Sequence, residues 1–179
     1  MNSHTTHADK SAMDGAPLYN SKITKNYLEF ITKYHPEINF DEILEGSGIT
    51  SQELEDGGHW LTQRQIGRFH KALFERTKNL NLPREVGRYL GLGKASIPLQ
   101  IVTLGFTSSE AAYRLLARIY PLMSRASTLR VTSLASNKVE AVNVLRPGVV
   151  ESPGQCRNRI GTFEAIARLF TNKFASVEH

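Results

Sequence analysis

Apolar side chains at Ile23, Tyr27, Phe30, Ile31 and Tyr34 recur at the spacing of one helix face, with Ser21 as N-cap and Pro36 closing the pattern. A first amphipathic helix is expected there. Phe40, Ile43 and Leu44, opened by Asn39 with Glu42 three positions on and closed by Gly46, predict a short second helix. In the segment from Gly48 to Trp60 (GITSQELEDGGHW), Thr50 and Glu53 have the spacing of a capping box, and Gly57-Gly58 stops the resulting turn of helix just before the only tryptophan. Thr62 and Gln65 make a second such box. It starts a long helix with Ile66, Phe69, His70, Leu73, Phe74 and Thr77 on one stripe and charged residues on the others. The segment ending at Trp60 therefore reads as a corner between helices.

Further along, Pro83 suits the first turn of a helix through Val86, Tyr89 and Leu90 to Gly91, and Ser96 with Pro98 suits another running to Gly105. Ser108 or Ser109 caps a third, with Ala112, Leu115, Leu116 and Ile119 inside and Pro121 at its end. Beyond Ala126 the period changes to two. Leu129, Val131 and Ser133 alternate with Thr128, Arg130 and Thr132, and Val139, Ala141, Asn143 and Leu145 alternate with Glu140, Val142, Val144 and Arg146, so a hairpin turning at Ser136-Asn137 is predicted. After a loop rich in Pro and Gly, a last helix places Cys156, Ile160, Phe163, Ala167 and Phe170 on one face. A two-stranded hairpin is marginal alone, so this helix must cover it or further strands must follow. The expected fold is α+β, a mainly helical N-terminal part followed by a small antiparallel sheet with a packed C-terminal helix. Residues 1–20 are expected to be a disordered tail and residues 21–179 a single domain.

Composition narrows the class of protein more than its chemistry. With 179 residues, 40% hydrophobic and 22% charged, the chain supports one cored domain. No apolar run is long enough for a secretory signal or a membrane span, and the single cysteine excludes an internal disulfide, so a cytoplasmic setting is expected. The net charge of +5 is C-terminal in origin: residues 1–93 carry 11 basic and 12 acidic groups, residues 94–179 carry 11 and 5. A nucleic-acid face, an anion pocket or a plain solvated basic face would each produce that asymmetry.

Chemistry-bearing residues are few. His70, beside Phe69 and Leu73 on the apolar stripe, has the placement of a haem ligand or of a core histidine satisfied by hydrogen bonds. No second metal ligand stands three or four residues away. Cys156 at a helix start, flanked by Arg157 and Arg159, is a possible redox thiol or a small buried residue. Arg130 and Arg146 would converge with Arg157 and Arg159 if hairpin and last helix pack together, giving donors for a carboxylate or phosphate. Gly87, Gly91 and Gly93 lack the strand-then-helix context of a phosphate loop. No carboxylate pair, serine elbow or phosphate-loop lysine is present, and catalysis is not expected.

Taken together, Glu42–Thr77, Leu82–Gly91, Ser108–Ile119, Gln155–Phe170 and Phe174–His179 resemble the N-terminal input domains of bacterial sensor histidine kinases and diguanylate cyclases, from about Ile23 onward. Those domains are in turn distantly similar to vinyl-reductase-type and haem nitric-oxide-binding-type small-molecule sensors. The resemblance implies helices followed by a small antiparallel sheet crossed by one helix, with the chain continuing past a Val-Glu-His-like segment. Here Val177-Glu178-His179 is the terminus, so the domain is expected to be cut short of the family's final strands. Cys156, Gly161 and Phe163 occupy the positions of the family's cysteine and following helix, while its second cysteine motif is absent and the zinc-ligand set of some relatives is incomplete. Haem binding at His70 is not carried over, and the cofactor is left unknown.

The resulting expectation is a non-catalytic sensory input domain of a two-component or related signalling protein, acting as a homodimer and passing ligand binding to a kinase or cyclase output. The ligand is expected between the long helix and the hairpin, with Trp60, Phe69, His70, Leu73, Val131, Val142, Arg130 and Arg146 as contacts and Cys156 as a possible redox group. Two alternatives stay open: an interaction or dimerisation module without ligand, and a nucleic-acid-binding regulatory domain.

Overall fold

The computed structural model describes residues 13–89, 105 and 108–179. Among them the chain forms β1 (Pro17–Asn20), α1 (Ser21–Tyr34), α2 (Phe40–Ser47), α3 (Ser51–Glu55), β2 (Trp60–Thr62), α4 (Gln63–Thr77), α5 (Leu82–Tyr89) and α6 (Ser109–Ile119). A 3-10 turn at Tyr120–Leu122, the strands β3 (Ser127–Ala135) and β4 (Lys138–Leu145), and the long helix α7 (Pro153–Thr171) complete it. The fold is α+β, with two separate two-stranded antiparallel sheets, β1-β2 and β3-β4. The helix expected from Ser96 to Gly105, and the last residues of the one expected to reach Gly91, lie outside the described residues.

Local chemistry explains most helix starts. Thr50 and Thr62 each accept a hydrogen bond from the backbone N–H three residues on, and Glu53 and Gln65 accept from the Thr backbone N–H in return. Ser152 and Gln155 repeat the box at the head of α7, with Pro153 at its first position. At α1 the cap is Asn20, not Ser21: its side chain accepts from the Lys22 N–H, while the Ser21 hydroxyl donates to the Asp56 carbonyl. Gly48 ends α2 in the left-handed region, φ 69°, which an unbranched glycine adopts without penalty.

Two expectations are corrected by pairing across the chain. The tail expected to run to residue 20 does not hold for Pro17–Asn20, which form β1 with Leu18, Tyr19 and Asn20 buried. β1 pairs with β2 in the register Tyr19↔Leu61 and Asn20↔Trp60, so the supposed corner at Trp60 is a strand. The segment after the 3-10 turn completes the arrangement from the other side, with the Asn20 N–H donating to the Met123 carbonyl and the Arg125 N–H to the Leu18 carbonyl. The Arg125 guanidinium lies 3.7 Å from the centre of the Trp60 ring.

The main core gathers α1 to α5 around Tyr27, Ile31, Ile43, Leu61, Phe69 and Leu73. A second cluster joins α6, β3 and α7 through Ala112, Tyr113, Leu116, Leu129 and Ile166. Helix α7 belongs to both halves, which changes its buried face. The expected stripe of Cys156, Ile160, Phe163, Ala167 and Phe170 is only half-buried, while Gln155, Gly161, Glu164, Ala165 and Ile166 are buried. The reason is close approach to α5. A Cβ on Gly161 would strike the Arg84 carbonyl, and a Cβ on Gly87 would strike the Asn158 carbonyl, so the two backbones touch where glycine removes the side chain. Glu164, with its side chain 2% exposed, sits over this crossing and accepts from Arg88 Nε at 2.7 Å and from Arg84 Nε at 3.1 Å.

Candidate functional site

Between the two halves lies a cavity of about 120 Å³. Helix α1 contributes Ile23, Thr24, Asn26 and Tyr27, and α4 contributes Ile66, Phe69 and His70. Leu116, Tyr120, Met123 and Ser124 close one end, and Glu151 with Gln155, Asn158, Arg159, Thr162 and Phe163 forms the wall from α7 and the loop before it. Helical periodicity brings these residues together: Ile23, Asn26 and Tyr27 are three and four apart on α1, as are Gln155, Asn158, Arg159 and Thr162 on α7.

His70 is the polar anchor of the α4 wall. Its ring edge packs on Gly154, where a Cβ would come within 2.5 Å of Cδ2, so only glycine at the start of α7 leaves it room. Nδ1 lies 3.1 Å from the Ile66 carbonyl, and Nε2 lies 3.2 Å from the Tyr27 hydroxyl. Because a carbonyl only accepts, the proton sits on Nδ1 and Nε2 accepts from Tyr27. Burial depresses the imidazole from its ordinary 6.5 to about 4, against the opposing pull of the Ile66 carbonyl, so the ring is neutral near pH 7. Burial also pushes the Tyr27 hydroxyl well above its ordinary value, which keeps it a donor. With both ring nitrogens engaged, His70 offers no free lone pair to an iron.

The α7 wall holds a closed ion pair and an open amide. Arg159 donates through both guanidinium nitrogens to the two Glu151 oxygens, one of them at 3.0 Å, and the two side chains are 15% and 14% exposed. Burial works against the Arg159 charge, but the hydrogen bonds to Glu151 prevail and its pKa is raised. Gln155 uses its carbonyl oxygen to accept from the Ser152 N–H, which leaves Nε2 without a partner. Across the cavity Asn26 donates from Nδ2 to the Val86 carbonyl at 3.1 Å, and its Oδ1 has none. Among the described residues three buried side-chain atoms lack a hydrogen-bond partner, and two of them belong to residues, Asn26 and Gln155, that line this cavity.

The residues expected from sequence divide sharply. Phe69 and His70 line the cavity, while Leu73, one turn on, is fully buried in the main core. Trp60 is on β2 under Arg125. The hairpin does not form the opposite wall as expected. Val131 pairs with Ala141 on the inner face, so Val142, which pairs with Arg130, points outward and is 43% exposed. Arg130 and Arg146 are exposed, Arg157 donates to the Leu80 carbonyl, and Arg159 is held by Glu151, so the four arginines do not converge. Cys156 is half-buried with its Sγ 3.4 Å from Nε2 of His179. Asn26, Gln155 and Glu151 were not singled out from sequence. For Asn26 and Gln155 the only signal is a polar residue on an inward helix face, and Glu151, in the loop before α7, carries none.

Among the described residues no three His, Cys, Asp or Glu side chains group as a metal site, and no helix is long and apolar enough to cross a membrane. The family model described as the arabinose-binding domain of AraC transcription regulators, N-terminal, matches residues 38–175, and the chain belongs to that family. Comparison with curated proteins and with solved structures found no match. The regulatory-domain part of the resemblance drawn from sequence agrees with this family, whereas kinase, cyclase, vinyl-reductase and haem-sensor relationships form no part of the match. Helix α1, which supplies Asn26 and Tyr27, precedes the matched residues.

Proposed function

We propose that the chain is the effector-binding module of an AraC-type transcription regulator, non-catalytic and cytoplasmic, with a small molecule bound in the cavity between α1, α4 and α7. The observations that carry this reading are the match of residues 38–175 to that regulator family and the cavity of about 120 Å³ walled by α1, α4 and α7. Phe69 and His70 remain ligand contacts in this reading, and the output is a DNA-binding module in place of a kinase or cyclase. Because the cavity is walled by elements of both core clusters, a ligand bound there favours one spacing of the two halves. That differential affinity is what a homodimer would pass to its DNA-binding partner.

Melting the chain against a panel of small metabolites, sugars included, tests the reading, since a ligand of the native state must raise the midpoint. A second reading, an interaction module without ligand, is favoured by the outer face of the hairpin, where Leu134, Val142 and Val144 are exposed. It predicts that no panel member shifts the midpoint, while Val142→Asp weakens self-association measured by sedimentation.

A further inference from the structure

Beyond Thr171 the chain turns back and runs along α7. We propose that residues 172–179 are a latch, an extended strap that is held over α7 only while α5 and α7 keep their crossing and that lets go when the crossing shifts.

Local chemistry sets the turn and the path. Asn172 ends α7 in the left-handed region, φ 56°, and the Thr171 hydroxyl accepts from the Lys173 N–H, which reverses the chain. The Ala175 N–H then donates to the Glu164 carbonyl at 3.2 Å, and Nε2 of His179 reaches Sγ of Cys156 at 3.4 Å. Four extended residues cover about 13 Å and eight helical ones about 12 Å, so the strap runs antiparallel to α7 in a nearly extended form. Its exposure alternates accordingly, with Ala175 and Val177 half-buried and Ser176 and Glu178 exposed. The strap lies in the groove between α7 and the hairpin, which Ile160 and Ala167 line from the helix and Val139 and Ala141 from β4. It thus covers part of the α7 stripe that the hairpin leaves open.

What holds the strap belongs to two helices. The centre of the Phe174 ring lies 4.9 Å from the guanidinium carbon of Arg88 on α5 and 4.9 Å from that of Arg168 on α7. Arg88 also donates to the Glu164 carboxylate over the glycine crossing, while the Glu164 carbonyl takes the Ala175 N–H. A shift of α5 against α7 therefore draws one guanidinium away from the ring. Lys138 and Glu178, 3.8 Å apart and exposed, add little. Arg159 and Phe163 line both this groove and the internal cavity, so the wall of the cavity and the bed of the strap share residues. With the cavity read as the effector site, on which this last step rests, a ligand that moves α7 is reported at the surface by release of the strap.

Amide hydrogen exchange of the unliganded 179-residue chain, read at Ala175 by NMR, tests the latch. Phe174→Ala should speed exchange there at least about tenfold with little change in melting temperature. The decisive variant is Gly161→Ala, which removes no strap contact but wedges the crossing through its clash with the Arg84 carbonyl, and should speed exchange at Ala175 at least about threefold. Thr62→Ala, which weakens the chain at the head of α4, is the control and should leave Ala175 unchanged. Should Gly161→Ala fail to fold, Arg84→Gln, whose partner is Glu164, loosens the same crossing from the surface and carries the same expectation. Exchange at the unprotected rate in the wild-type chain, no response to Phe174→Ala, or a response to the crossing variant no greater than to Thr62→Ala overturns the latch. Because no ligand is used, that failure leaves the effector-site reading standing, and a metabolite panel that fails to shift the midpoint leaves the latch standing.

Discussion

Acid should destabilise this domain through His70 well before its carboxylates titrate. The folded imidazole titrates near 4 and the unfolded one near 6.5, because folding removes the ring from water and gives its Nε2 a donor it can accept from only when neutral. Below about pH 6.5 the unfolded chain therefore takes up a proton that the native chain refuses, and stability falls as pH falls. With those two values, unfolding gains a factor of roughly 30 at pH 5, about 2 kcal/mol, and about 3 kcal/mol once the pH is below 4. Against a typical stability of about 5–15 kcal/mol that is readily measured. Urea denaturation of the wild-type chain and of His70→Gln at pH 7, 6 and 5 isolates the contribution. The variant starts less stable, but its loss between pH 7 and 5 should be smaller by about 2 kcal/mol, since the remaining histidines are common to both. Equal losses in the two proteins would refute the assignment of a buried neutral imidazole at the cavity wall.

Other perturbations probe the helix crossing and the caps. Gly161→Ala should destabilise by about 1–3 kcal/mol in urea melts, because its Cβ meets the Arg84 carbonyl of a backbone that cannot swing aside, whereas Gly67→Ala, with open space at its Cβ, should gain up to about 1 kcal/mol in helix propensity. Glu164→Gln should cost about 1–3 kcal/mol at pH 7, moderated because Arg84 and Arg88 can turn toward solvent. Burial raises the Glu164 carboxyl, but hydrogen bonds from Arg84 and Arg88 outweigh it and hold the group below the usual carboxylate range. The wild-type advantage over Gln is therefore kept at pH 7 and lost only as the pH falls through and below the usual carboxylate range. Thr62→Ala removes the acceptor for the Gln65 N–H at the head of α4 and should lower stability by about 1 kcal/mol by calorimetry. Added haem should give no histidine-ligated Soret shift, since Nε2 of His70 is held by Tyr27 and Nδ1 by Ile66.

What sequence made legible was local. The boxes at Thr50-Glu53 and Thr62-Gln65 have their partners three residues away, and the hairpin announces itself by its period of two. The β1-β2 pair was hidden because Tyr19 and Leu61 are far apart in the chain and β2 is three residues long, too short for any periodicity to show. Helix α7 misled for a different reason. A helix packed on two sides has no single apolar stripe, and a pattern search settles on Ile160 and Phe163 while the tightest contact is made through Gly161, which has no side chain to count. The hairpin residue Val142 failed by alternation alone: it is apolar on both neighbours' strand but one position out of phase with Val131.

The cavity marks a deeper limit of sequence reading. Asn26 and Gln155 stand on helix faces that face inward, and sequence treats each as an ordinary polar interruption. Each is in fact half satisfied, Asn26 through the Val86 carbonyl and Gln155 through the Ser152 N–H, and those bonds leave the two remaining amide atoms pointing to no partner. Such half satisfaction leaves no local signal in the sequence, because the partner of Asn26, the Val86 carbonyl, lies far along the chain.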